Sequence, residues 1–269
     1  MDAGQAQTTS PTYRTHGFGR PVFDMPADPF TPAGREDDRV RVVGHRGAPG
    51  SGRPENSVAA VTEALLQGAD GVEVDVWLTD DGTLVCAHEL PAVAERASLA
   101  TLPELLDAAQ YPAGSQVVVE AKPVTDPAVA ARTASVLADV LRSSAGSAVI
   151  TVSSFDPELL AMIRATCADL PVRTALLGDK SAPAAEVVHR AHQGGHDEVH
   201  LPLVAVRRTP EAVETARLLG LSVALWTVNA RADLQWAAEL GVDAVITDDV
   251  LTAWSELDRA ADVREMVAA

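Results

Sequence analysis

From Val40 onward, short apolar runs alternate with longer segments of helical periodicity. This alternation predicts repeated strand–helix units, which favour a parallel sheet covered by helices. The predicted strands are 42–45, 71–78, 84–87, 116–121, 148–152, 172–176, 198–201, 222–226 and 244–246. The predicted helices are 57–67, 102–109, 127–143, 157–167, 183–193, 210–219, 231–239 and 252–267, with Asn56 as N-cap and Gly68 as C-cap of the first.

The pair Asp81-Gly82 marks a tight turn between the second and third predicted strands. A parallel crossover needs a dozen or more residues, so this turn must close an antiparallel hairpin. The hairpin accounts for nine predicted strands where a closed barrel has eight. The chain of 269 residues is long enough for one α/β barrel, and an open α/β sheet is the alternative architecture.

Residues 1–38 form a separate segment, rich in Gly, Pro, Ser, Thr and Asp and without apolar periodicity. We expect a partly ordered N-terminal arm here, because only a few aromatic residues could attach it to the rest. The segment has no basic stretch followed by an apolar one, so no signal peptide is expected. The barrel domain is predicted to span 39–269.

The charge and the cysteines restrict the partners and the location. A formal net charge of -17, with no basic stripe, argues against nucleic-acid binding and against adsorption to anionic membranes. No apolar run reaches the ~20 residues that span a bilayer, so no stable membrane insertion is expected. Cys86 and Cys167 are predicted to be buried free thiols, which suits a reducing compartment and a cytoplasmic location. The oligomeric state is not predicted.

Ionisable side chains lie at the ends of four predicted strands, where α/β proteins build their sites. Residues two apart on a strand point to the same face, so these side chains should converge. Such a set can bind a divalent cation, a phosphate group and an acid/base pair. Its members are His45, Arg46, Glu73, Asp75, His88, Glu120 and Lys122.

Glu73, Asp75 and Glu120 are the predicted metal ligands. Three carboxylates without a cysteine suit a hard cation such as Mg²⁺ or Ca²⁺. The alternative is that they are surface or salt-bridged acids, but all three interrupt valine-rich runs, where a buried charge needs a partner.

His45 and His88 are the predicted acid/base pair, because imidazole exchanges protons near neutral pH. A single histidine would more often be a core residue bonded to a carbonyl. Two histidines at strand ends, beside a cluster of carboxylates, favour catalysis instead.

Nine short motifs follow one another between His45 and Asp249. In chain order they are His45-Arg46-Gly47, Pro54-Glu55-Asn56, Glu73-x-Asp75, Thr79-x-Asp81-Gly82, His88, Glu120-x-Lys122, Ser154-Phe155-Asp156, Trp226-Thr227-Val228-Asn229 and the run from Gly241 to Asp248. Together they resemble the signature of the glycerophosphodiester phosphodiesterase family. The resemblance implies a TIM (β/α)₈ barrel that uses a divalent metal to hydrolyse a small-molecule phosphodiester to sn-glycerol 3-phosphate and an alcohol.

The resemblance also implies roles for individual residues. One histidine would act as base and the other as acid, while Arg46 and Lys122 bind the phosphodiester. The substrate's neighbouring hydroxyl would attack and form a cyclic phosphate, which water then opens. Glu55 is a weaker substrate-binding candidate, since it opens the first helix. Phe155 and Trp226 are candidates to line the alcohol pocket, with a plain core role as the alternative.

Two other readings keep the barrel but change the activity. The barrel could cleave another phosphodiester, stopping at a cyclic product or serving biosynthesis. It could also be a catalytically silent phosphate-binding barrel, although the complete acidic and histidine set argues against this.

Two departures from the family pattern concern the segment after His88. Glu89 stands where the family has aspartate, and the stretch from Glu89 to Gln116 is short. It lacks the Arg-Thr-Thr sequence and most of the insertion that covers the glycerol end. We therefore expect an open alcohol pocket with broad head-group selectivity.

Four further histidines imitate a metal cluster by their spacing: His189, His192, His196 and His200. They lack the i, i+4 spacing of a helical zinc pair, so solvated helix-end histidines are the preferred interpretation. His200, at a strand end near the predicted barrel mouth, is kept as a possible exception.

Overall fold

The computed structural model describes residues 39–109, 111–144 and 148–257. The strands are β1 (Arg41–Gly44), β2 (Gly71–Leu78), β3 (Leu84–Cys86), β4 (Gln116–Ala121), β5 (Val149–Ser154), β6 (Val172–Leu177), β7 (Glu198–Pro202), β8 (Ser222–Trp226) and β9 (Ala244–Thr247). The helices are α1 (Val58–Leu66), α2 (Leu102–Ala108), α3 (Pro127–Ser143), α4 (Pro157–Thr166), α5 (Ala184–Gln193), α6 (Leu203–Val206), α7 (Glu211–Leu218) and α8 (Arg231–Leu240), followed by α9, which is helical over 250–257.

Eight of these strands close into a parallel barrel. Hydrogen bonding follows the order β1-β9-β8-β7-β6-β5-β4-β2, and the pairing of β1 with β2 completes the ring. Helices lie between successive barrel strands, with α2 following the β3 excursion. The fold is a TIM barrel, which confirms the predicted α/β class and rules out the open sheet.

The ninth strand is the predicted hairpin. β3 pairs antiparallel with β2, opposing Cys86 to Val76, and contributes to no other strand pair in the described sheet. At the turn Gly82 has φ of 92°, a left-handed conformation that is strained for any residue with a Cβ. The Asp-Gly turn therefore sends the chain out of the barrel and back before His88.

The predicted caps of α1 need correction. Ser57, not Asn56, is the N-cap, because its side chain accepts a hydrogen bond from the Ala60 amide. Asn56 turns its side chain away, toward β2. The helix ends with Gln67 as C-cap, and Gly68 takes the left-handed conformation one position later, with φ of 90°.

Other expectations have mixed outcomes. The four-residue α6, directly after β7, was not predicted. Cys86 and Cys167 are buried free thiols, as predicted. Among the described residues, no helix combines the length and apolar composition needed to cross a membrane. The predicted arm over 1–38 and the last residues of the predicted C-terminal helix lie outside the described residues, so these predictions and the domain boundary remain untested.

The hydrophobic core has two parts. The larger cluster contains residues from both strands and helices, so it fills the layer between the barrel and its helical coat. The smaller cluster contains strand residues only, which places it inside the barrel. It consists of Val43, Val118, Ala224, Ala244 and Ile246.

A buried carboxylate, Glu198, shares the barrel interior. Its Oε1 lies 2.9 Å from Nε of Arg173, and its Oε2 lies 3.1 Å from Nε2 of His200. Gln116 and Thr151 complete its surroundings. Burial alone would raise the pKa of Glu198, but the hydrogen bond from His200 and the charge of Arg173 outweigh it and lower the pKa to about 2.

This shift predicts how stability depends on pH. Because the folded pKa lies below the ordinary value of 4.5, Glu198 contributes stability that is complete above that value and is lost as the pH falls toward 2. We expect this contribution to reach about 3 kcal/mol. The free energy of unfolding, measured with urea from pH 6 to pH 3, should depend less on pH in Glu198→Gln than in the parent protein. Glu211→Gln, on the surface of α7, should retain the parent's dependence, and an unchanged dependence in Glu198→Gln would contradict the expectation.

Candidate active site

One cavity of about 320 Å³ collects most of the predicted site residues. It lies where the barrel strands end, and strands from nearly the whole ring contribute to its wall. The lining residues are His45, Arg46, Glu73, His88, Glu120, Lys122, Ser153, Phe155, Leu177, Asp179, Lys180, His200, Trp226 and Ile246. Asp75 and Glu55, the two predicted residues outside this lining, reach the site through bonds to Lys122 and Arg46.

The three predicted metal ligands form one cluster. Oxygen atoms of Glu73, Asp75 and Glu120 lie within 4.8 Å of one another. Asp75 and Glu120 are neighbours because β2 and β4 pair in register at exactly these two residues. Nζ of Lys122 lies 2.6 Å from Oδ1 of Asp75 and 2.6 Å from Oε1 of Glu120, so one ammonium group bridges two of the three carboxylates.

Negative charge is in excess in this cluster, and burial and neighbouring charges shift the pKa values of its carboxylates. Burial, together with the charges of Asp75 and Glu120, raises the pKa of Glu73 well above its ordinary value. Burial and the charge of Asp75 raise the pKa of Glu120 to about 7, although Lys122 opposes them. Asp75 behaves differently: burial would raise its pKa, but Lys122, Asn56 and Arg46 lower it. The site therefore holds more carboxylate charge than its own cations neutralise.

A divalent cation fits this donor set. Oε1 of Glu73 is buried and has no hydrogen-bond partner among the described residues. An orphaned carboxylate oxygen beside two further carboxylates is what a hard cation requires, and a cation would compensate the repulsion that raises these pKa values.

Arg46 is held by the loop between β1 and α1. Its guanidinium lies 2.9 Å from Oε2 of Glu55 and 3.2 Å from Oδ2 of Asp75, and its backbone amide donates to Glu73. Its φ of 54° is unusual for a residue with a side chain. The next residue, Gly47, packs so closely on α1 that a Cβ would lie 2.5 Å from the backbone carbon of Ala60.

Asn56 fixes the position of Asp75. Its Nδ2 donates to Oδ2 of Asp75 at 2.8 Å, and its Oδ1 accepts from the Asp75 amide at 2.9 Å. This two-point contact also explains why Asn56 does not cap α1. The motif Pro54-Glu55-Asn56 therefore supplies one residue to Arg46 and one to the acidic cluster.

His45 is oriented by a residue that sequence reasoning did not select. Its Nδ1 lies 2.7 Å from Oδ1 of Asp248, just after β9. Asn229 holds the carboxylate in turn, donating to Oδ2 at 2.7 Å and accepting from the Asp248 amide at 2.9 Å. The hydrogen bond to His45 lowers the pKa of Asp248, so the carboxylate is ionised and His45 carries its proton on Nδ1.

His88 follows β3, the strand that returns from the hairpin, and lines the same cavity. Its Nδ1 lies 3.1 Å from Oε1 of Glu89, so the departure from aspartate leaves a carboxylate within reach of this histidine. Burial and the charges of Arg46 and Lys122 lower the pKa of His88.

The far wall of the cavity is more apolar. Phe155 and Trp226 form an edge-to-face pair with ring centroids 5.8 Å apart, and Nζ of Lys180 lies 5.7 Å from the Trp226 ring centroid. Both aromatic residues line the cavity, and Trp226 also packs against the smaller hydrophobic cluster. Their contact with the alcohol portion of a substrate stays a prediction.

The four further histidines do not form a cluster. His189 and His192 are exposed on α5, as expected. His196 is buried against Thr174, 3.1 Å away, which corrects the prediction of a solvated residue. His200 is 1% exposed and lines the cavity, so it is not a solvated helix-end histidine. Among the described residues it does not belong to the group that could hold a metal ion.

Comparison with known proteins agrees with this geometry. The model of the glycerophosphoryl diester phosphodiesterase family matches residues 45–107 and 95–252, most of the chain. The chain belongs to this family. The match includes all ten predicted site residues, from His45 to Trp226.

Individual relatives resemble parts of the chain. "Probable glycerophosphodiester phosphodiesterase 1" of Mycobacterium tuberculosis is 60% identical over 48 residues, which are 18% of this chain and 17% of that protein. The human glycerophosphodiester phosphodiesterase 1 is 42% identical over 52 residues, covering 19% of this chain and 15% of that protein. The chain thus matches less than a fifth of the length of these relatives.

Solved structures share the fold over most of the chain. A glycerophosphodiester phosphodiesterase from Parabacteroides distasonis has a TM-score of 0.69 at 20% identity, covering 86% of this chain and 99% of that one. A phosphodiesterase from Oleispira antarctica, solved with the product sn-glycerol-3-phosphate, has a TM-score of 0.67 at 22% identity, covering 82% and 97%. At these identities the likeness establishes the fold.

Proposed function

We propose that this chain is a metal-dependent phosphodiesterase that hydrolyses glycerophosphodiesters to sn-glycerol 3-phosphate and an alcohol. One observation carries the proposal: two histidines, two cationic side chains and a carboxylate cluster face the same cavity. Membership of the family supports the substrate class, as does the product bound by the structural relative from Oleispira antarctica.

His45 and His88 are assigned to proton transfer. Because the Nδ1 proton of His45 is bonded to Asp248, Nε2 is the atom that can accept a proton, which favours His45 as the base in the first step. It would deprotonate the substrate's neighbouring hydroxyl, whose attack on phosphorus gives a cyclic phosphate. His88 would protonate the departing alcohol oxygen. For the opening of the ring by water the two histidines exchange roles.

Arg46 and Lys122 are assigned to the phosphate group. Their side chains neutralise the oxygens around phosphorus, and Glu55 and Asp75 hold Arg46 in place. Glu73, Asp75 and Glu120 would hold the divalent cation, for which Mg²⁺ and Ca²⁺ suit an all-oxygen site. When bound, the cation would supply Lewis-acid polarisation of the phosphate.

The two buried free thiols support a reducing, cytoplasmic environment.

The test is a hydrolysis assay on glycerophosphocholine and glycerophosphoethanolamine, with Mg²⁺ or Ca²⁺ and with chelator. We expect metal-dependent release of sn-glycerol 3-phosphate. Release of a cyclic product without further hydrolysis would indicate the cyclising variant of the activity. Binding of glycerol phosphate without turnover under any metal condition would indicate a silent barrel and contradict the proposal.

Asp248 is expected to affect the rate of hydrolysis because it orients His45. Asp248→Asn removes the charge that holds the Nδ1 proton, and we assign this orientation about 10–100-fold of the roughly 10²–10⁴-fold that a positioned acid/base contributes. We expect kcat to fall by this factor with little change in KM, measured on glycerophosphoethanolamine. The matched control is Asp249→Asn, an exposed neighbour whose carboxylate accepts from the Thr252 amide in α9. Equal effects of both substitutions would contradict an orienting role for Asp248.

Head-group selectivity should be low. None of the described residues in 89–109 and 111–115 lines the cavity, so this segment provides no cover over it. One methylene of contact is worth only about 10–200-fold. We expect kcat/KM values within roughly tenfold for different head groups. A protein that strongly prefers one head group, with and without residues 1–38, would contradict the open pocket.

A further inference from the structure

Two buried polar atoms in the cavity lack partners and have no role in the proposed proton transfer or metal binding. They are Oγ of Ser153, on β5, and Nδ1 of His200, on β7. Each residue is 1% exposed, and each lines the cavity. Neither atom forms a hydrogen bond with any other described residue. Burial of a polar group without a hydrogen-bond partner is unfavourable, so two of them in one wall require an explanation.

Two comparable buried residues, the neighbouring serine Ser154 and the histidine His196, do have hydrogen-bond partners. Ser154 donates to the Ala121 carbonyl at 2.7 Å, and His196 pairs with Thr174. Of these four residues, only the two that line the cavity, Ser153 and His200, have unpaired polar atoms. Phe155, Leu177 and Ile246 also belong to the cavity lining, so Ser153 and His200 provide polar atoms in a wall that also has apolar parts.

Glu198 fixes which ring nitrogen of a neutral His200 carries the proton. Since Glu198 is ionised, it accepts a hydrogen bond, and Nε2 of His200 must donate. In the neutral imidazole Nδ1 then presents a lone pair. Arg173, Gln116 and Thr151 hold Glu198 from the other side, so the imidazole ring is fixed in this orientation.

We propose that Ser153 and His200 form a subsite that binds a hydroxyl group of the substrate, either from its glycerol half or from its alcohol head group. A hydroxyl can donate to Nδ1 of His200 and also exchange a hydrogen bond with Ser153, which both donates and accepts. A phosphate oxygen offers acceptors only and does not complement a lone pair. A cation would be desolvated here beside a carboxylate that Arg173 already neutralises. The inference rests on the proposed function and adds a specificity determinant to it.

The hydroxyl can come from the glycerol half or from the head group, and the test separates the two. Dissociation constants are measured for sn-glycerol 3-phosphate and for n-propyl phosphate, which lacks the hydroxyls. Specificity constants are measured for glycerophosphoethanolamine, whose head group has no hydroxyl, and for glycerophosphoglycerol, whose head group has two. If the parent protein hydrolyses neither diester, the proposed function fails, and the two diesters are titrated as ligands instead.

The variants are chosen to keep the fold. His200→Gln places an amide as far along the side chain as Nε2, so it can still donate to Glu198 while the Nδ1 position is lost. Ser153→Ala removes Oγ, and Ser154→Ala is the matched control on the other face of β5. Thermal unfolding of each variant shows whether the fold is kept.

Loss of one net neutral hydrogen bond predicts a loss of about 3- to 10-fold in each variant. If glycerol supplies the hydroxyl, Ser153→Ala and His200→Gln weaken sn-glycerol 3-phosphate by this factor and leave n-propyl phosphate unchanged. If the head group supplies it, only glycerophosphoglycerol loses affinity or specificity by this factor. Either result supports the subsite. Equal losses for all ligands, no loss for any, or the same pattern in Ser154→Ala would overturn it.

Discussion

Replacing His45 or His88 by alanine is expected to lower kcat/KM for glycerophosphodiesters by about 10²–10⁴-fold. Each histidine lies at the mouth of the barrel beside the carboxylate cluster and lines the same cavity. Their surroundings differ: Asp248, the partner of His45, is 39% exposed and is bonded to Asn229, whereas Glu89, the partner of His88, is 88% exposed. We therefore expect His45→Ala to disturb the site more than His88→Ala does.

The fold should survive both substitutions, because both side chains are partly exposed and neither belongs to the hydrophobic core. The control is His192→Ala, an exposed histidine on α5 that should leave the rate unchanged. Activities are compared after circular dichroism and thermal unfolding have shown that each variant is folded. Near-parent activity in His45→Ala or His88→Ala would remove that residue from the mechanism.

Removing the metal is expected to abolish hydrolysis, and removing one ligand is expected to weaken metal binding. Mutation of a residue that only hydrogen-bonds to a metal ligand already lowers metal affinity by about 10–100-fold. Loss of a ligand itself should cost at least as much, so we expect at least tenfold weaker binding of Mg²⁺ or Ca²⁺ in Glu73→Gln, Asp75→Asn and Glu120→Gln. Chelator should stop hydrolysis reversibly. Full activity in excess chelator would contradict a metal requirement, and stronger reactivation by Zn²⁺ would contradict an all-oxygen site.

Glu73→Gln provides a sharper test, because it should act in opposite directions with and without metal. Burial and two neighbouring carboxylates raise the pKa of Glu73, so its charged form is unfavourable in the metal-free protein. A neutral amide should therefore raise the melting temperature without metal. In the parent protein, metal at about 100 times its Kd should stabilise the fold by about 2.7 kcal/mol. A variant that binds the metal at least tenfold more weakly should keep at most about 1.4 kcal/mol of this gain at the same metal concentration.

The control for the metal experiment is Glu63→Gln, a partly buried carboxylate on α1 outside the acidic cluster. It should bind metal and gain stability like the parent protein. A Glu73→Gln variant that still shows the parent's metal-induced stabilisation would exclude Glu73 as a ligand.

The sequence by itself determined most of the barrel, because its signals are local. Apolar runs and helical periodicity extend over a few residues each, and the Asp81-Gly82 turn specifies a hairpin through backbone conformation alone. The same local logic predicted the acidic cluster. Glu73 and Asp75 are two apart on one strand, and a parallel neighbour can place Glu120 beside them.

Only the tertiary structure decided which residues support that cluster, because these contacts join residues distant in the chain. Asn56 is a plausible helix cap by local rules, yet it bonds Asp75 because the loop after β1 folds over the end of β2. Asp248 lies 203 residues from His45 and becomes its partner only when β9 pairs with β1 to close the ring. Its signal in the sequence was its position just after a predicted strand, which does not identify the partner.

His200 is a second residue whose surroundings the sequence did not identify. Its spacing from Glu198 placed both side chains on one face of a strand, but the hydrophobic pattern did not show that this face is buried in a polar interior. Arg173, Gln116 and Thr151 come from three other strands, and they make the burial of Glu198 tolerable. Local patterns specify which elements form and which way their residues point. Closure of the barrel decides which of these residues meet, because it brings together strands that are far apart in the chain.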